Sequence, residues 1–68
     1  MNIKQLTKAK LMKPFRRFQI HLTSGKDLLI EREQQLAVSE KDRMVFVFGE
    51  DAYHLLAATE IASITFLR

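Results

Sequence analysis

Cysteine and tryptophan are absent from this 68-residue sequence, proline occurs once and glycine twice. Without cysteine there is no disulfide framework and no thiolate metal site. The two histidines, His21 and His54, do not make a structural zinc site without carboxylates. No stretch approaches the roughly 20 apolar residues of a membrane span. Nor does the N-terminus hold the apolar run of about 7–15 residues that a secretory signal needs, so the expected setting is cytoplasmic, with no membrane partner. Neither a glycine-rich phosphate loop nor a nucleophile elbow is present. A chain this short also leaves little room for a pocket of about 300 Å3 or more. A binding protein is therefore expected rather than an enzyme, with no cofactor, no metal and no small-molecule substrate.

Acidic residues are missing from the first 17 positions, which hold Lys4, Lys8, Lys10, Lys13, Arg16 and Arg17. Residues 18–68 carry five Lys/Arg and eight Asp/Glu, a net of −3 against +6 for the opening segment. A cationic arm thus leads into a mildly acidic body. With 47% hydrophobic and 28% charged residues, the composition is that of a folded chain, not a disordered one. The length allows one domain, residues 1–68. Such a domain buries only about 60% of its unfolded surface. Lacking disulfides or a metal, it is expected to draw stability from tight packing or from association with further copies of itself.

Two periodicities divide the chain. Over Asn2–Lys13, Ile3, Leu6 and Lys10 stand at i, i+3 and i+7 beside Ala9, Leu11 and Met12, which predicts a helix with a narrow apolar stripe and a broad basic face. Asn2 is suited to cap it, and Pro14 ends it by excluding Lys13 from helical angles. Twelve residues do not hold a helix in isolation, so this one must dock or fray. After Pro14 the period falls to two. Phe18, Ile20 and Leu22 alternate with Gln19, His21 and Thr23, as in a half-buried strand, and Ser24-Gly25 makes a turn. Strands are then expected over Leu28–Arg32, Met44–Phe48, Tyr53–Ala57 and Ile61–Leu67, with a short alternating segment at Gln35–Ser39 and a corner at Ala58-Thr59-Glu60. The fold class is mainly β: an N-terminal helix (1–13) and a five-stranded, strongly bent antiparallel sheet or small barrel (15–68), a shape that limits exposed strand edges.

The segment Pro14-Phe15-Arg16-Arg17-Phe18-Gln19-Ile20-His21-Leu22-Thr23-Ser24-Gly25 resembles the opening of short bacterial proteins that read P-F-R-x-F-x-I-x-L-x-[SD]-G. The element order resembles the Sm-like barrel of Sm proteins and Hfq-like RNA chaperones. There a helix caps a five-stranded bent sheet, and a single helical turn precedes the last strand, as Ala57-Ala58-Thr59-Glu60-Ile61 would do here. The resemblance implies assembly edge to edge through strands. It does not bring the ring-pore RNA site, because Thr59-Glu60 stands where Hfq-like proteins have Lys-His, and the Arg-Gly of Sm proteins is also missing.

The candidate nucleic-acid-binding residues are Lys4, Lys8, Lys10, Lys13, Arg16 and Arg17, which would neutralise phosphates of RNA or DNA with little sequence preference. Phe15 and Phe18 beside the two arginines offer base stacking. The plain alternative is a solvated helix face above buried phenylalanines. A second functional reading is a protein-interaction or structural module, its helix docked on a partner and its lysines paired to Glu31, Glu33 or Glu60. His21 and His54 read as surface histidines. Met44–Phe48 reads as a central strand covered on both faces or, if one face is open, as an apolar patch of the kind that marks interfaces. Leu55-Leu56-Ala57 raises the same choice.

Overall fold

The structure is a computed structural model that describes residues 2–68; residue 1, where the expected domain span begins, lies outside them. Helix α1 spans Ile3–Leu11. It is followed by β1 (Phe18–Leu22), β2 (Asp27–Ile30), β3 (Leu36–Ser39), β4 (Met44–Phe48), β5 (Tyr53–Ala57) and β6 (Ile61–Phe66). The strands form two antiparallel three-stranded sheets, ordered β2–β1–β6 and β3–β4–β5.

The helix begins where the sequence places its cap. The Asn2 side chain accepts from the Lys4 amide at 2.9 Å, satisfying one of the free donors of the first turn. The helix stops at Leu11, earlier than the expected Lys13, and Met12 is already extended. Ile3, Leu6 and Ala9 are its buried stripe. They enter the same core as Phe18 and Ile20 of β1, Leu28 and Ile30 of β2, Leu36 of β3, Val45 and Val47 of β4, Leu56 of β5, and Ile61 of β6. The helix therefore docks on its own sheets. It lies against β3 on one side and leaves a groove toward β6 on the other.

The expected five-stranded sheet or barrel is corrected to six strands among the described residues, in two sheets that do not close into a barrel. The cause is local. A single-turn 3-10 helix at Glu33–Gln35 separates β2 from β3. The Gln35 Oε1 accepts from the Glu31 amide at 2.7 Å and the Arg32 amide at 3.0 Å. Those two donors would otherwise extend β2 toward the expected Arg32. The Gln35 Nε2 donates to the Phe48 carbonyl at 3.3 Å and ties the break to the end of β4. The chain returns to the first sheet through a second 3-10 turn, Ala58–Glu60, where the sequence places a corner. There the Ala57 amide donates to Glu60 Oε1 at 3.0 Å, and the Thr23 amide donates to the Glu60 carbonyl at 2.8 Å. Both crossings thus use one helical turn, and both join edge strands of different sheets.

The β1–β2 hairpin turns at Gly25, whose φ of +94° lies in the region that side chains with a Cβ avoid. The β4 strand is central, as expected, but it is covered on one face only. Val45 and Val47 are buried, Met44 and Phe46 are half-buried, and Phe48 is exposed.

Candidate functional site

The six arm cations do not form one surface. Lys10 and Lys13 turn toward Glu33, with Nζ–carboxylate distances of 3.8 and 3.0 Å. The hydrogen bond and the charge of Lys13, with Lys10 beside it, hold the Glu33 carboxyl below its ordinary pKa. Arg17 donates from its guanidinium to the Arg68 carbonyl at 2.9 Å, fastening the chain beyond β6 beside the start of β1. Half of the predicted cations therefore serve internal contacts.

The others stand differently. Lys4 and Lys8 are exposed on α1. Arg16 lies over the Phe66 ring, its guanidinium carbon 5.4 Å from the centroid, a distance suited to a cation–π contact. Lys8 also borders the groove between α1 and β6, an open one whose volume of about 590 Å3 exceeds the room expected of so short a chain, because it lies between helix and sheet edge rather than inside the core. Gln5, Met12, Ser63, Ile64 and Phe66 help to line it. A lysine therefore borders an apolar, partly aromatic floor, and an arginine covers the ring that forms part of it. Phe18, proposed from sequence as a stacking residue, is fully buried and meets Phe15 and Phe66 with ring centroids 5.9 Å apart in each case. Phe15 is half-buried against the core. The aromatic contribution at the groove is Phe66, half-buried against the core; nothing in the sequence marks it apart from its place in the last strand, because its neighbour Phe18 is set by the β1–β6 register.

The outer edge of β6 runs along this groove at Ile64 and Phe66, where no strand pairs with it among the described residues. Leu67 donates to the Arg17 carbonyl at 2.9 Å. Antiparallel alternation from that bond puts the bonded positions of β6 at Thr65 and Ser63, so the main-chain groups of Ile64 and Phe66 point away from β1.

His21 occupies the outer face of the first sheet. Its Nδ1 donates to Asp27 Oδ1 at 2.7 Å, because an ionised carboxylate only accepts. Its Nε2 lies 2.8 Å from the Thr65 hydroxyl. The relay crosses β2, β1 and β6, with Gln19, Leu29 and Ser63 on the same face by alternation. It has the order of a carboxylate–histidine–hydroxyl system, but Asp27 and Thr65 are exposed and none of the three lines the groove. It functions as a cross-strand clamp. His54 is half-buried on β5 near Gly49. Among the described residues no group of three or more His, Cys, Asp or Glu is placed to hold a metal ion, and no helix is long and apolar enough to cross a membrane.

The outer face of the second sheet is unlike that of the first. Met44, Phe46 and Phe48 of β4 stand beside Ala57, Leu55 and Tyr53 of β5 in register. Phe46, Phe48 and Tyr53 form a ring cluster with centroids 4.7–6.1 Å apart. Tyr53 is 74% and Leu55 63% exposed.

Compared with known proteins, the chain matches no family model, no curated protein and no solved structure.

Proposed function

We propose that this chain is a small binding and assembly module, not an enzyme, and that it contacts single-stranded RNA or DNA along the groove between α1 and β6. One observation carries the reading: Lys8 lines a groove together with Met12, Ile64 and Phe66, and Arg16 lies over the ring of that same Phe66. Nucleic acid binding without sequence preference combines a cationic track for the backbone with an aromatic face for bases. Gln5, exposed on α1, adds an adaptable donor and acceptor beside the same groove. Lys4, one turn before Lys8, extends the cationic line.

The order helix, strands, single helical turn and last strand supports kinship with Sm-like folds, as does the pairing of the last strand with the first. The outer edge of β6 supports the expectation that copies associate. A cytoplasmic setting accords with the absence of cysteine from the sequence.

The test is fluorescence anisotropy with a labelled mixed-sequence single strand over a range of salt. Three available cations, Lys4, Lys8 and Arg16, give a log–log salt slope of about −2, against about −4 if all six arm cations met phosphate. Lys8→Glu and Arg16→Glu weaken binding strongly, and Lys13→Ala changes it little. Absence of binding at low salt would end this reading.

A further inference from the structure

The two sheets have outer faces of opposite character. The first is polar: Gln19, His21, Asp27, Ser63 and Thr65 occupy it, with Leu29 as the large apolar exception. The second presents Met44, Phe46, Phe48, Tyr53, Leu55 and Ala57 with no charged side chain among them. A sheet face that meets water alternates polar positions outward, as the first does. The second lacks them on both β4 and β5.

We infer that this uncharged face is a self-complementary interface on which a second copy of the chain packs. The inference rests on the proposal that copies associate, and it names the surface by which they do so. In a two-fold contact each patch meets its own counterpart, so a charged patch opposes itself. The helix face would set Lys4 and Lys8 against their equals, and the β4–β5 turn would set Glu50 and Asp51 against theirs. The outer face of β4 and β5 carries no such penalty.

The turns at the two ends of β4 choose the orientation. Glu50 and Asp51 follow its last residue, while Lys41 and Arg43 precede its first. Faces packed with their β4 strands parallel would gather four carboxylates at one end. Packed antiparallel, each Glu50–Asp51 turn lies by the partner copy's turn containing Lys41 and Arg43. That turn also holds Glu40 and Asp42 and is neutral overall, so this orientation avoids the cluster of four carboxylates rather than adding net attraction. The antiparallel pairing is therefore the favoured one.

The size of the face sets the strength of the contact. Large aromatic residues present roughly 150–250 Å2 each. With Tyr53 at 74%, Leu55 at 63% and Phe48 at 39% exposed and Met44 and Phe46 half-buried beside them, the face offers on the order of 400 Å2 per copy, comparable with the largest patch of an ordinary monomer. Two such faces and their rims total about 1,000 Å2, near the lower limit of a specific interface. The expected species is a dimer that dissociates on dilution.

Sedimentation equilibrium of the full chain, from low micromolar to near-millimolar concentration, tests this. The wild type should rise toward twice the monomer mass. Leu55→Lys, at an exposed position, should weaken association about thirtyfold or more, as loss of an interface hot spot does. Tyr53→Glu should do the same, and Leu29→Lys, on the other sheet, should leave association unchanged. Thermal melts of each variant at low concentration establish that it is folded. A wild type that associates equally well with Leu55→Lys and Tyr53→Glu overturns this interface while leaving self-association intact. A wild type that stays monomeric throughout overturns both.

Discussion

Leu6 tests whether the helix is an integral part of the fold. It is fully buried on α1, between Ile3 and Ala9 of the same stripe. Leu6→Ala removes three carbons from the core. At about 0.8 kcal/mol per buried methylene the transfer loss is about 2.4 kcal/mol, and incomplete collapse of the cavity raises it to about 3 kcal/mol. At roughly 0.05–0.15 kcal/mol per residue the whole chain has about 3–10 kcal/mol of stability. One substitution therefore takes a third or more of the total. A domain of this size loses about 4–8 °C per kcal/mol, which puts the fall in Tm at about 12–24 °C. Leu11→Ala is the control: it lies on the same helix but is 54% exposed, and alanine has the higher helix propensity. Circular dichroism melts and urea titrations of both variants measure the difference. If Leu6→Ala and Leu11→Ala melt within a few degrees of each other, the helix does not contribute its buried stripe to the core.

Glu33 gives a pH prediction. Its carboxyl titrates below its unfolded value because of Lys13 and Lys10, so its contribution is complete above the unfolded pKa and is lost as pH falls through the folded one. Glu33→Gln should therefore lower the urea midpoint at neutral pH and narrow its gap to the wild type as pH falls below the ordinary carboxylate range; a gap that widens in acid would contradict the pairing. Gly25→Ala meets open space but must hold a φ of +94°, costing about 1 kcal/mol in a urea titration. Gly49→Ala should cost more, because its Cβ would lie 2.9 Å from the Ala52 carbonyl oxygen; equal losses at the two glycines would refute this. Thr65→Val removes the partner of His21 Nε2 and should lower stability by about 1 kcal/mol or less, with the change in His21 ring resonances read by NMR.

Elements set by short-range pattern were legible in the sequence. The Asn2 cap, Ile3, Leu6 and Ala9 of the expected stripe, the alternation from Phe18 to Leu22 and the corner at Ala58–Glu60 all follow from spacing within a few residues, whereas Leu11, set beside that stripe, is exposed and Met12 lies past the helix end. What escaped was set by contacts between distant positions. The break at Glu33–Gln35 is the partial exception: its caps on Glu31 and Arg32 are local, and the same amide side chain ties them to the distant Phe48. Counting charges along the arm overstated its free cations for a similar reason, since Glu33 lies 20 residues from Lys13. The Asp27–His21–Thr65 relay joins three strands, and Thr65 is 44 residues from His21. Alternation indicated which way these side chains face but not which strands would be neighbours.

Helical geometry explains why the arm divides as it does. At 3.6 residues per turn each residue advances about 100°, so Lys4 and Lys8 lie only about 40° apart, whereas Lys8 and Lys10 are separated by about 160°. Leu6 and Ala9 point into the core between these directions, and half-buried Lys10 stands at the rim of the buried stripe, between Leu6 and Ile3. Lys10 thereby falls on the flank that faces Glu33, and Lys8 falls on the flank that borders the groove to β6. The first flank holds the end of the helix down through ion pairs; the second remains available to a ligand. Charge and stability are thus separable on one short helix. Lys10→Gln should shift the melting curve with little effect on oligonucleotide affinity, and Lys8→Gln should do the reverse. A Lys10→Gln variant that loses affinity as strongly as Lys8→Gln would mean that the whole arm, rather than one flank of it, meets the nucleic acid.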